Sequence, residues 1–574
     1  MSLIKDTEKY LLKIINDLEY DIDKVELVPS GRKEYGDFQI NISFQIAKKY
    51  HENPNEVSKK IINKFDDRFI NVNIQGGGFI NLTFNEKVIK DYFNESINNF
   101  DILYDKLESK KIIVDYGGAN AAKALHVGHM RSANIGEAMK RLLKLLGMDV
   151  IGDVHLGDFG RQAGMLISEY KRMEPNSVFF DSDYKGEYPK INLTNKDLGI
   201  MYPKASLMAN ENEERMEEVR EITSQIEKGH RGYNNLWKQM VEISTKSIKE
   251  VYEKLNCHFD LWEGEMDSFK YIPEVLKIMK PYLYESDGAL VCDVSKEDDN
   301  KPMPPLMVIK NDGSTIYGTR DLGTILGRIK RFNPDEIWYF TDERQSLYFE
   351  QVIRACYKTG LVNQDIKLKH FGFGTINGSD GKPFKTRDGK VMDLASLIEL
   401  INDEIEKNIK KEIVGKEREE VRDILAIATL KYADMLSFRK TDYIFNPQEF
   451  ASLNGKTGPY VLYSLVRIKS LLKKSDLENF SLVDLSNKEV KDVLIKILEI
   501  SKILEKSYHD ATLNYIEDFI YDTLSLYNKF YNNNNILNEK DINKKNTYLA
   551  LSKIVYLVVH HLLNVLAIDE VERM

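Results

Sequence analysis

One stretch constrains this chain more than any other: Asn120-Ala-Ala-Lys-Ala-Leu-His126-Val-Gly-His129, set between an apolar segment at 111–116 and a helical pattern at 131–146. Strand, loop, then helix is the local plan of a nucleotide site. Unpaired backbone N–H groups and the dipole at a helix start favour phosphate. Gly128 leaves room for a close-packed ligand. His126 and His129 add two neutral donors beside it, and no metal is implied.

The wider pattern agrees. Short apolar runs at 112–116, 150–154, 306–309, 336–340 and 370–375 alternate with helical segments. That rhythm predicts an α/β fold, a Rossmann-like doubly wound parallel sheet, over about 106–425. A polar stretch at 171–232 without strand signals reads as a connective insertion. Residues 1–105 mix helix and strand patterns and predict a separate N-terminal α+β module. Strand signals cease after 425, so 426–574 is expected to be an all-α bundle.

Bulk properties narrow the classes. A chain of 574 residues needs more than one core. No uninterrupted apolar run reaches membrane-spanning length, and the first residues lack a secretory pattern, so a cytoplasmic protein is expected. Cys257, Cys292 and Cys356 are far apart, which argues against disulfides and a structural zinc site. The net charge of −9 does not advertise a nucleic-acid partner. Basic stretches around Lys140, Arg328 and Arg467 suit solvated helix faces as well as RNA.

The His126-Val-Gly-His129 element resembles the His-Ile-Gly-His signature of class I aminoacyl-tRNA synthetases. The longer run through Met130-Arg-Ser132, with His155-Leu-Gly-Asp-Phe-Gly-Arg-Gln162, resembles the arginine-specific members of that class. The resemblance implies two-step chemistry. Arginine carboxylate attacks the α-phosphorus of ATP to form an adenylate, then a terminal ribose hydroxyl of tRNA takes the arginyl group. It also implies that tRNA is needed for the first step; the ATP chemistry implies Mg2+, and the cysteine spacing implies that no zinc is used. Such chemistry asks for positioning and charge neutralisation rather than a protein nucleophile.

By the same resemblance, the basic loop Gly381-Lys-Pro-Phe-Lys-Thr-Arg-Asp-Gly389 stands for the Lys-Met-Ser-Lys-Ser element. Lys382, Lys385 and Arg387 are expected to bind ATP with His126, Gly128 and His129. Thr386 replaces the usual second lysine, and Lys123, just ahead of the histidines, is expected to compensate, making Lys123, His126, His129 and Lys385 the catalytic set. Gly117-Gly118 and Ala124 replace family residues without removing a functional group.

For arginine, Tyr317 and Asp321 fall at i and i+4 on a helix start, and Glu265 supplies a second carboxylate. Two carboxylates suit a planar guanidinium, which pairs in bidentate fashion. Asn120 and Gln345 are expected to hold the amino and carboxylate ends. Phe79 and Asn81 of the N-terminal module, and Tyr460, Tyr463 and Met574 of the bundle, are expected tRNA contacts, although the same residues also suit packing. A monomer is expected. Three alternatives remain open: a glutamine or glutamate enzyme of the same class, a silent paralogue, and a small-molecule nucleotidylyltransferase.

Overall fold

The computed structural model describes residues 1–311, 313–378, 380–382 and 392–574. At its centre lies a parallel four-stranded sheet, ordered Lys367–His370, Glu336–Tyr339, Lys111–Asp115, Asp149–Asp153. All four residues of Glu336–Tyr339 are buried, as expected for an inner strand covered on both faces. Two expected strands behave differently. Residues 306–309 form the third strand of an antiparallel meander with Leu283–Ser286 and Ala289–Cys292, outside the parallel sheet. The expected strand at 370–375 is displaced: the edge strand is Lys367–His370, and a short strand, Ile376–Asn377, pairs in parallel with Tyr443–Ile444.

The helix Val127–Leu145 crosses from Lys111–Asp115 to Asp149–Asp153. It is buried nearly all round rather than amphipathic, because the sheet lies on one side and helices of the C-terminal bundle on the other. Its polar residues are therefore paired internally. Glu137 accepts from Tyr116 Oη at 2.6 Å and Arg141 Nε at 2.8 Å, with Lys140 Nζ at 2.9 Å. Lys140 and Arg141 are thus committed to Glu137 and Arg328 is fully buried, while Lys144, Lys330 and Arg331 of the same stretches stay exposed.

The insertion is strandless among the described residues, with helices Asn195–Glu211 and Glu213–Glu227 packed on Arg161–Met173. The expected 425/426 boundary falls inside the continuous helix Gly415–Met435, so it marks no linker. At the N-terminus, strands Val28–Pro29, Phe38–Ile40, Phe79–Phe84 and Phe69–Gln75 form an antiparallel sheet backed by helices. This module meets the bundle through the reciprocal Asn94–Leu482 pair at 2.7 and 3.1 Å. The bundle's last helix, Ile542–Val565, is long and apolar enough to cross a membrane by composition. Most of its apolar residues are buried within the protein, so its composition answers to the core.

Candidate active site

His126 is the N-cap of Val127–Leu145, and the two histidines cap the helix reciprocally. The Gly128 N–H donates to His126 Nδ1 at 3.1 Å, and the His126 N–H donates to His129 Nδ1 at 3.1 Å. With both Nδ1 atoms accepting, the ring proton of each neutral histidine sits on Nε2, free to donate outward. Their rings stack with centroids 3.8 Å apart. Burial lowers the His129 pKa to about 3, and desolvation, with Lys123 and Arg344 nearby, lowers that of His126. Both stay uncharged at neutral pH. A Cβ at Gly128 would come within 3.0 Å of His126 Cε1, so glycine also makes room for the cap itself.

The approach loop turns at Gly117, whose φ of +90° side-chain-bearing residues rarely adopt. Lys123 is exposed, its ammonium 5.1 Å from the ring centre of Tyr202 in the insertion. Asp393 forms a bridge with His126, which brings the chain just beyond the basic loop against the histidines. Lys382 is exposed on the near side of that loop. Lys385 and Arg387 lie outside the described residues.

Beyond the carboxyl ends of the strands is a cavity of about 420 Å³, within the range typical of small-ligand pockets. Asn120, Glu265, Tyr317, Asp321 and Gln345 all line it. Tyr317 opens the helix Tyr317–Phe332, so Asp321 lies one turn on, as the spacing predicts. Asp321 Oδ2 accepts from Tyr348 Oη, and Oδ1 stands 3.7 Å from His155 Nε2. Glu265 is more committed than its sequence position suggests: Oε2 accepts from the buried Arg320 Nε at 2.5 Å. Burial raises the Glu265 pKa to about 7, with Asp321 adding to the rise against Arg320.

Sequence reasoning assigned no role to the floor of this cavity. Arg328 Nη2 donates to Asp115 Oδ2 at 2.6 Å and Asp153 Oδ2 at 2.5 Å, both at strand ends. Burial opposes charge on His155, but Asp321 and Asp115 outweigh it and raise its pKa to about 9. Asp321, Thr324, Ile325 and Arg328 all line the cavity, and their i, i+3, i+4, i+7 spacing was a readable signal for one helix face.

The expected tRNA contacts divide. Phe79 is half-buried, its ring edge-on to the exposed Phe44 at 4.8 Å. Tyr460 and Tyr463 are half-buried, and Tyr460 Oη accepts from Asn528 Nδ2 at 3.0 Å. Asn81 and Met574 are 1% and 2% exposed: Asn81, on the strand face opposite Ile80 and Leu82, accepts from Ser30 Oγ at 3.2 Å, and Met574 tucks into the main core. Met574→Ala is therefore expected to cost about 2–5 kcal/mol of stability, as large-to-small core changes do. Thermal unfolding together with the KM for tRNA checks this; a stable variant with a raised KM would restore Met574 to the RNA surface.

Three family models match. They are described as tRNA synthetases class I (R), catalytic domain, over 96–447; arginyl tRNA synthetase N terminal domain, over 3–84; and DALR anticodon binding domain, over 461–574. An arginine–tRNA ligase of Alkaliphilus oremlandii is 40% identical, covering 100% of both chains. The chain belongs to the class I arginyl-tRNA synthetase family. Another arginine–tRNA ligase, from Agathobacter rectalis, is 37% identical over 97% of each chain. The arginyl-tRNA synthetase of Plasmodium falciparum has the same fold, with a TM-score of 0.82 at 21% identity, covering 100% of this chain and 99% of that one.

Proposed function

We propose that this enzyme attaches L-arginine to its cognate tRNA, first forming arginyl-adenylate from ATP and then transferring the arginyl group to the terminal ribose. The observation that carries the reading is one cavity collecting Asp321, Glu265, Tyr317, Asn120 and Gln345 beside the capped histidine pair. Asp321 takes the substrate guanidinium, Glu265 adds negative potential while holding Arg320, and Tyr317 covers the side chain. Asn120 and Gln345 orient the amino and carboxylate ends toward the α-phosphate. The Nε2–H groups of His126 and His129, with Lys123, Lys382, Lys385 and Arg387, stabilise charge growing on the phosphates. Charge transfer of labelled arginine, but not glutamine or glutamate, onto tRNA tests the assignment.

Magnesium enters with ATP as the substrate's counter-ion. Among the described residues the cluster with ligand spacing is Asp115, Asp153 and His155, and Arg328 already bonds both aspartates there, so no step is assigned to a protein-held metal. The N-terminal module and the bundle grip tRNA, with Phe79, Tyr460 and Tyr463 as candidate contacts. Its arrival is needed for the first step in this reading. By the same reading the enzyme works as a monomer in the cytoplasm, a reducing compartment that three free buried cysteines suit.

A pH effect follows. The Glu265 carboxyl loses its proton as pH rises through about 7, so the free enzyme's affinity for the arginine cation climbs through that value and levels off above it. We expect kcat/KM for arginine, which reports free-enzyme groups, to fall as pH drops through about 7. Glu265→Gln should flatten that limb, and an unchanged limb in the variant would remove Glu265 from the effect.

A further inference from the structure

We infer that Arg131 is a positioning residue for adenylate formation, setting the stem of the basic loop against the histidine-bearing helix. This deepens the reading of the site and rests on it. Arg131 lies two residues past His129 and is 1% exposed. Its guanidinium reaches three backbone carbonyls on two other chain segments. Nη1 donates to Thr375 O at 3.3 Å, and Nη2 donates to Arg439 O at 3.1 Å and Thr441 O at 3.2 Å.

Thr375 is in the stem that leads through Ile376–Asn377 into the basic loop. The Arg439–Thr441 segment follows the helix Gly415–Met435 and precedes the strand Tyr443–Ile444 that pairs with that stem. One buried cation therefore ties three strands of chain at the point where the histidines, the loop stem and the third segment converge. The same third segment also holds the stem directly. The Gly374 N–H donates to Arg439 O at 3.1 Å and the Thr375 N–H to Asp442 Oδ1 at 2.6 Å.

A fully buried arginine needs a counter-charge. Asp434 supplies it, with Oδ1 3.6 Å from Arg131 Nε. Asp434 is itself fixed by Asn134 Nδ2 at 3.0 Å, from one turn along the histidine helix, and by Tyr443 Oη at 3.2 Å. The Arg131 guanidinium also lies 5.0 Å from the Tyr443 ring centre. Planarity matters here. A guanidinium donates in several fixed directions at once, whereas an ammonium is a point charge that cannot span the same acceptors. A lysine at 131 keeps the charge near Asp434 but cannot hold Thr375 and the 439–441 segment together.

Arg131 touches neither cavity nor histidine rings, so its effect passes through the position of the loop stem. Small misplacements of groups that act only in the transition state lower kcat more than they weaken ground-state binding. The expected result for Arg131→Lys is a fall of at least about tenfold in kcat for pyrophosphate exchange, with the KM for arginine and the Kd for tRNA unchanged. Amide hydrogen exchange of Gly374 and Thr375 should quicken, while that of the inner strand Lys111–Asp115 stays as in wild type.

Wild-type kcat in the lysine variant, from active protein, would overturn the inference and leave the reading of the site intact. A parallel loss of arginine binding and tRNA binding would overturn it too, since that is what a general packing defect does. If Arg131→Lys does not fold, Asp434→Asn gives the same test, because it keeps partners for Asn134 and Tyr443 but removes the charge that anchors Arg131. Absence of exchange in the wild-type enzyme itself would overturn the reading and the inference together.

Discussion

His126→Asn is expected to lower the turnover of adenylate formation roughly a hundredfold, the scale for losing one transition-state donor, while leaving thermal stability nearly unchanged. The two effects separate because His126 does two jobs. As an N-cap its Nδ1 accepts the Gly128 N–H, and asparagine is among the best residues for that purpose. As the donor proposed for ATP its Nε2–H lies on the far side of the ring from the capping Nδ1, and the shorter asparagine amide does not reach as far. Because both histidines are held neutral, wild-type turnover should show no inflection from an ordinary imidazole near 6.5. Exchange kinetics beside thermal melting checks the point. Loss of activity in step with loss of stability would reduce His126 to a cap.

Asp321→Asn should lower kcat/KM for arginine at least roughly thirtyfold, the lower end of the effect of removing one partner from a buried charge pair. The other carboxylates around the cavity are already engaged. Arg320 is bonded to Glu265, and Arg328 to both Asp115 and Asp153, so each of those carboxylates already has a guanidinium partner within the protein. Asp321 accepts from the Tyr348 hydroxyl, and the cation beside it, His155, stands off at 3.7 Å and is shared with Asp115, so no guanidinium yet pairs with it among the described residues. It is the carboxylate best able to give up charge to an incoming guanidinium. Asparagine keeps the size and an acceptor but loses the ionic, bidentate pairing. Steady-state kinetics with arginine and ATP varied separately decides it: a specific rise in the arginine KM supports the assignment, and unchanged kinetics removes Asp321 from the pocket.

Much of this site was readable because it rests on local rules. The helix start at Tyr317 and the turn to Asp321 follow from helical spacing, and the histidine loop between strand and helix follows from motif context. What escaped reading was long-range. Residues 306–309 look like any short apolar strand, and nothing in the run says whether its partners are parallel or antiparallel. Arg328 reads as a surface charge because the acids that pair with it, Asp115 and Asp153, are far away in sequence; Lys140 pairs with Glu137 only three residues off, and its burial comes from the elements packed on that helix. The same limit applies to Arg131 and to Met574: one sits on a helix covered on both sides, the other at a chain end drawn into the core. Asn81 lies on the strand face opposite the core residues Ile80 and Leu82, and its burial there comes from a neighbouring segment at Ser30, which strand alternation does not reveal.

The most direct test of the account is arginine-dependent exchange of labelled pyrophosphate into ATP, run with and without cognate tRNA. The account predicts exchange with arginine, dependent on tRNA and absent with glutamine or glutamate. Exchange driven by another amino acid, or none with any amino acid from folded protein, would contradict it.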